Sequence, residues 1–270
     1  MGGPLPSRKG VLHRKLITSS GKGDRDMKRV RLPFAPGLEV EFADRDRGVQ
    51  QTLEWGERGT RSPIVVFGPE GCGKTAWLKQ AAELLREGGY HVVYVNPLQK
   101  EFLAHTDARE VAGALAEIIA KASGRVEAEL AYAAFNAARE LVKLRKRKVA
   151  VLVDDAFQAI GLDRAASYVK SLLGLIEYPP ESYERIVAIV ATSEGVSRRE
   201  IGRHRWADLT PMWNMGREGF EQLYEQLPGP KPSFEEAWRL TGGNPHLLRE
   251  LYRKQWNADK VVAESSKRRL

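Results

Sequence analysis

Eight consecutive residues constrain this chain more than all the others. Gly68-Pro69-Glu70-Gly71-Cys72-Gly73-Lys74-Thr75 matches the pattern G-x-x-x-x-G-K-[ST] at every fixed position. Just before it, Ile64-Val65-Val66-Phe67 is a short apolar, mainly β-branched run of the kind that forms a buried parallel strand. Just after it, residues 76–87 place Leu78, Ala81, Ala82 and Leu85 on one helical face, and Gly88 and Gly89 stop the helix. Strand, glycine loop and helix form the setting in which this pattern works. Gly68, Gly71 and Gly73 let the backbone curl until its N–H groups point inward at an anion. The helix starting near Lys74 adds the positive end of its dipole. Lys74 then reaches the β- and γ-phosphates of a nucleoside triphosphate, and the Thr75 hydroxyl ligates Mg²⁺. Pro69, Glu70 and Cys72 fill the variable positions and Ala76 leads into the helix, so the whole run from Gly68 to Ala76 is the expected nucleotide contact.

The remaining periodicity predicts the frame around this loop. Residues 37–42 read as a short strand and 44–58 as a helix. Apolar strands are predicted at 91–95, 149–153 and 185–191, with a short fifth at 207–212. Helices are predicted within 107–147, broken near Ser123 and Gly124, and at 165–176, where Pro179 and Pro180 follow. Residues 218–227, 233–240 and 245–256 complete a helical remainder, with Ser233 and Glu236 at capping-box spacing. Strands alternating with helices imply α/β architecture: a P-loop NTPase fold, mostly parallel sheet with helices on both faces, plus a small C-terminal helical lid. The expected boundaries are a flexible basic arm over 1–33, the core over 34–215, the lid over 216–260 and a basic tail over 261–270.

The strand at 149–153 delivers Asp154 and Asp155 at its C-terminal end, where ligands bind in open α/β sheets. Asp154 is expected to hold Mg²⁺, and Asp155 to position or polarise the attacking water. Turn chemistry alone also places acids after strands; the complete phosphate loop upstream favours the catalytic reading. The next strand ends in Thr192 and Ser193. A hydroxyl there serves either the γ-phosphate and the attacking water or a turn, and the sequence leaves both readings open. Arg203 and Arg205 precede the last short strand, either as a finger toward a neighbouring subunit's γ-phosphate or as a solvated basic loop.

Composition narrows the setting. The 270-residue chain carries a net charge of +8, but nine basic and two acidic residues lie in the first 33, so seven of those charges sit in the arm. DNA or RNA contact is therefore an expectation about the arm, with the clusters at 143–148 and 267–269 as further support. The sole cysteine, Cys72, excludes an intrachain disulfide. No apolar run is long enough for a membrane helix, and no secretory leader is evident. The expected location is cytoplasmic, with no membrane partner.

Taken in order, Phe42-Ala43-Asp44-Arg45-Asp46, the phosphate loop, Val151-Leu152-Val153-Asp154-Asp155, Thr192-Ser193, Arg203 and Arg205, and Gly242-Gly243-Asn244-Pro245 resemble a known group. The chain is similar to archaeal P-loop ATPases of the AAA+/STAND group over roughly residues 38 to 256. The resemblance implies that the segment from Phe42 to Arg45 contacts the adenine side, and that Gly243-Asn244-Pro245 brings the lid over the base and couples nucleotide state to lid angle. It also implies ATP as the nucleotide, and a protein partner or homo-oligomer. Such proteins often carry a C-terminal winged helix, and too few residues follow Pro245 to form one. The function expected is a Mg²⁺-dependent ATPase switch or motor. The alternatives are a nucleotide-gated binding or scaffold module with negligible turnover and a P-loop small-molecule kinase. Asp155 leaves the gated module open, because a glutamate is the commoner residue at that position in hydrolysing relatives.

Overall fold

A computed structural model describes residues 28–120, 126–193 and 201–267. Its centre is a six-stranded sheet among the described residues, in the order β5-β4-β6-β7-β3-β8. The strands are β3 (Ile64–Phe67), β4 (His91–Asn96), β5 (Glu101–His105), β6 (Lys148–Val153), β7 (Arg185–Thr192) and β8 (Asp208–Pro211). All neighbours are parallel except the β4–β5 edge pair. The apolar runs are continuous because both faces are covered. Val149, Val151 and Val153 pack on one face against α3 (Arg109–Ala120), α4 (Val126–Lys143), α5 (Ala156–Ile160) and α6 (Leu162–Glu177). Ala150 and Leu152, pointing the other way, meet α1 (Asp46–Arg58) and α2 (Lys74–Glu87).

Two elements depart from the sequence reading. Strand β5 was not expected: its residues are only half-buried, so it carries no strong apolar period, and it is held at the edge by antiparallel pairing and a Lys79–Glu101 ion pair of 2.8 Å. The short helix α5 follows Asp155 directly and is too brief to show a period. The break expected near Ser123 and Gly124 lies outside the described residues.

The arm is also shorter than expected. β1 (Arg31–Ala35) and β2 (Leu38–Glu41) form an antiparallel hairpin, turned at Gly37 with φ 76°. Gln80 anchors the approach to it, accepting from the Val30 amide at 2.9 Å and donating to the Lys28 carbonyl at 2.9 Å. Val30, Leu32 and Phe34 are the alternating apolar residues that charge had obscured, and they pack on the two cores the hairpin joins. The portion of the arm at 1–27 lies outside the described residues.

The lid comprises α7 (Arg217–Glu225), α8 (Phe234–Thr241), α9 (Pro245–Arg253) and α10 (Ala258–Lys267), so the first part of the expected tail is helical. The hairpin and lid share a third core, in which Phe34 and Val40 meet Met215, Phe220, Leu223 and Leu248. The Ser233 side chain accepts from the Glu236 amide at 3.3 Å, the cap expected from sequence.

Candidate functional site

The glycine loop leaves the C-terminal end of β3 and enters α2 at Lys74. Gly71 and Gly73 have φ of 74° and 103°, a region costly for side-chain residues. At Gly68 the need is space: a Cβ would lie 1.8 Å from the Met212 carbonyl oxygen. Lys74 is buried, and its Nζ donates to the carbonyls of Gly68 and Pro69 at 2.9 Å each. The ammonium is thereby held across the loop it belongs to.

Two strands away, β6 ends at Asp154. Its Oδ2 accepts from Thr75 Oγ1 at 2.5 Å and from Asn96 Nδ2 at 3.0 Å, while Oδ1 is buried without a partner. Burial, and then the neighbouring Asp155 carboxylate, push the Asp154 acid up to about 6. Asp155 follows with φ 45° and caps α5. Its Oδ1 accepts from Ser193 Oγ at 3.2 Å. Burial raises its proton affinity, opposed chiefly by the Lys74 charge. Thr75, Lys74, Asp155 and Ser193 thus line one end of a cavity of about 450 Å³. Its other end is apolar, with Leu32, Phe42, Val40, Leu223 and Pro245 among its walls.

The remaining expected residues divide. Ser193 joins the site, whereas Thr192 is fully buried at the end of β7 and does not line the cavity. Pro245 lines it, its Cγ 3.7 Å from where a Gly73 Cβ would stand. Arg45 lines it too, but its guanidinium donates to the Cys72 carbonyl, so it grips the phosphate loop where an adenine contact was expected. Arg205 is exposed and precedes β8, whose first residue, Asp208, pairs with Ile64 at the start of β3. It therefore sits at the opposite end of the strands from the loop and does not line this chain's own cavity; the expected role, toward a neighbouring subunit's γ-phosphate, concerns a second copy. Within the cluster at 143–148, Lys143 pairs with Glu140, Arg145 with Glu181, Lys146 with Asp107 and Arg147 with Glu184, while Lys148 donates to the Gly88 carbonyl.

Sequence reasoning missed Asn96, His246 and Arg249 as parts of the site, and placed Asn244 there only through the lid junction. Asn96 had one signal, a polar residue ending an apolar strand at the sheet's ligand-binding edge. Asn244 donates from Nδ2 to the Glu70 carbonyl at 3.0 Å. Arg249 donates to His246 Nδ1 at 2.9 Å and, with its Nε buried and without a hydrogen-bond partner, lines the cavity. His246 and Arg249 had no signal beyond a helix start. Among the described residues, no group of three or more His, Cys, Asp or Glu side chains is placed to hold a metal ion. A cation at Thr75 and Asp154 would draw its other ligands from nucleotide and water. No helix of the described residues is long and apolar enough to cross a membrane.

Comparison with known proteins agrees with this geometry. Residues 42–251 match the model of an ATPase domain found predominantly in Archaea, and the chain belongs to that family. The match gives an ATPase domain of archaeal type; the narrower AAA+ and STAND assignments go beyond it. No curated protein sequence matches it. Among solved structures, the Aeropyrum pernix ORC2 protein in ADPNP–ADP complexes is similar at 15% identity and a TM-score of 0.48, covering 77% of this chain and 59% of that one. Cdc6p from Pyrobaculum aerophilum is similar at 15% identity and 0.48, covering 87% and 68%. AMPPCP-bound DnaA from Aquifex aeolicus is similar at 17% and 0.43, covering 77% and 59%. The chain thus spans about three-fifths of the length of the first and the last of these.

Proposed function

We propose that this chain binds ATP with Mg²⁺ in the cavity between core and lid and hydrolyses it. The observation that carries the reading is the Thr75–Asp154 contact, with the orphaned Asp154 Oδ1 beside it. A buried carboxylate oxygen without a donor fits a hydrated cation, since an unpaired acceptor is otherwise costly there. Thr75 and Asp154 would hold Mg²⁺, which supplies charge neutralisation at the β- and γ-phosphates. The loop amides and Lys74 bind the phosphates, and the apolar end takes the base. Asp155, oriented by Ser193, accepts a hydrogen bond from the attacking water and holds it in line. Calorimetric titration tests the binding half: ATP binds the wild type more tightly with Mg²⁺ than with EDTA, and Lys74→Ala removes that binding. Equal binding by Lys74→Ala would refute it.

One observation favours a second reading, the gated module. Asp155 is short and already engaged with Ser193, which suits slow or partner-stimulated turnover. A partner's arginine, or Arg205 of a neighbouring copy, is the kind of group that would supply the missing acceleration. The acidic partners within the 143–148 cluster favour the basic arm for any DNA or RNA contact. Deleting residues 2–27 would then abolish salt-sensitive binding.

A further inference from the structure

The phosphate loop is held from outside by its carbonyls. Lys74 Nζ takes those of Gly68 and Pro69 at 2.9 Å each, and Asn244 Nδ2 takes that of Glu70 at 3.0 Å. The His246 amide lies 3.3 Å from the carbonyl of Gly71, and the Arg45 guanidinium takes that of Cys72. Two of these donors belong to the lid. In a planar trans peptide the C=O of one residue and the N–H of the next point in opposite directions, and no peptide bond here is cis among the described residues. Fixing the Glu70 carbonyl outward therefore turns the Gly71 N–H the other way, toward the cavity. The Arg45 contact likewise fixes the Cys72–Gly73 peptide plane, with the Gly73 N–H pointing away from the guanidinium. Gly71 and Gly73 both line the cavity.

Asn244 is built for this. Its Oδ1 accepts from the amides of His246 at 3.0 Å and Leu247 at 3.1 Å, capping α9. Its Nδ2 donates to Glu70 and also to Asn214 Oδ1 at 3.1 Å. With both oxygen contacts and both nitrogen contacts used, the amide has one orientation. The fit is close: a Cβ on Gly71 would lie 2.4 Å from His246 Cβ and 3.0 Å from Asn244 Oδ1.

We infer that Asn244, from the lid, and Arg45, from the start of α1, are positioning residues that aim the Gly71 and Gly73 amides at the phosphates, so that lid closure and phosphate grip are one event. The inference rests on the nucleotide-binding reading above and adds to it a coupling through loop peptides. A lid that swings away takes Asn244 with it, releases the Glu70–Gly71 plane and costs the cradle an aimed donor. The lid thus acts on the polyphosphate through the loop peptide that Asn244 holds.

The test uses the full chain and two ligands, ADP and adenosine, titrated calorimetrically into wild type, Asn244→Ser and Asn244→Asp. Serine and aspartate both keep an acceptor at the helix cap, and neither donates to Glu70. Asn244→Ser should bind ADP about tenfold more weakly while adenosine affinity stays within about twofold. Asn244→Asp should lose more, with the excess over serine shrinking as salt screens its charge. A parallel loss of ADP and adenosine affinity would mean that Asn244 contacts the base side, and would overturn the inference. So would an Asn244→Ser protein binding ADP like the wild type. Should circular dichroism show Asn244→Ser unfolded, Arg45→Met poses the same question at the Cys72–Gly73 peptide, with the same ADP-selective loss expected and a parallel loss overturning it. A wild type that binds neither ADP nor ATP would instead bring down the nucleotide reading itself.

Discussion

Replacing Asp154 by asparagine should stabilise the nucleotide-free protein at neutral pH while disabling it. The folded protein holds the Asp154 proton up to about pH 6, against an ordinary value of 3.8. At about 1.4 kcal/mol per pKa unit, keeping this acid ionised in its buried position costs on the order of 3 kcal/mol. The sign follows from the raised affinity: below about pH 4 the group is protonated folded and unfolded alike, and nothing is lost. Between about pH 4 and 6 the unfolded chain releases the proton first, and stability declines. Above about pH 6 the full penalty stands. The amide introduced by Asp154→Asn cannot ionise, keeps an acceptor for Thr75 and Asn96, and places its NH₂ where Oδ1 now lacks a partner. That unpaired donor costs about 1–2 kcal/mol, so the net gain at pH 8 is about 1–2 kcal/mol. Urea unfolding in EDTA at pH 8 and pH 4 measures it. The variant should be the more stable protein at pH 8 and lose that advantage by pH 4. A difference of the same size at both pH values would refute the reasoning, because it would owe nothing to the Asp154 charge.

Further outcomes follow from the same geometry. Asp155→Asn should bind ATP within a fewfold of wild type and hydrolyse it at least about a hundredfold more slowly, read by phosphate release against titration. The wild-type rate should fall with acidity with a midpoint above that of an ordinary aspartate, since burial raises the Asp155 acid and only the ionised form accepts from water; a rate flat down to pH 4 would contradict this. Gly219→Ala should destabilise the lid by about 1–3 kcal/mol in chemical denaturation, because its Cβ would lie 2.1 Å from that of Asp44.

The parts of the fold that announce themselves do so through strong periods and fixed motifs. The valine-rich β6 ends in two acids, and the loop from Gly68 to Thr75 is nearly self-describing. What stayed hidden depends on partners distant in sequence. Strand β5 exists because β4 offers an edge. Strand β1 was masked by the charges of a basic segment, though its apolar residues alternate, whereas its partner β2 falls within the strand read at 37–42. Arg45 was placed in the site, but its target, a loop carbonyl 27 positions on, is a tertiary fact. The same holds for Asn244 and Glu70, 174 positions apart. Arg205 precedes a strand that begins away from the loop, so its expected role toward phosphate concerns a neighbouring copy.

The most direct test of the central claim is phosphate release from ATP by the purified wild type, with Mg²⁺ and with EDTA, beside Lys74→Ala and Asp155→Asn. The account predicts turnover that requires Mg²⁺ and is lost in both variants, with both still folded and with ATP binding lost only in Lys74→Ala. Turnover that persists in Asp155→Asn, or that ignores EDTA, would contradict it.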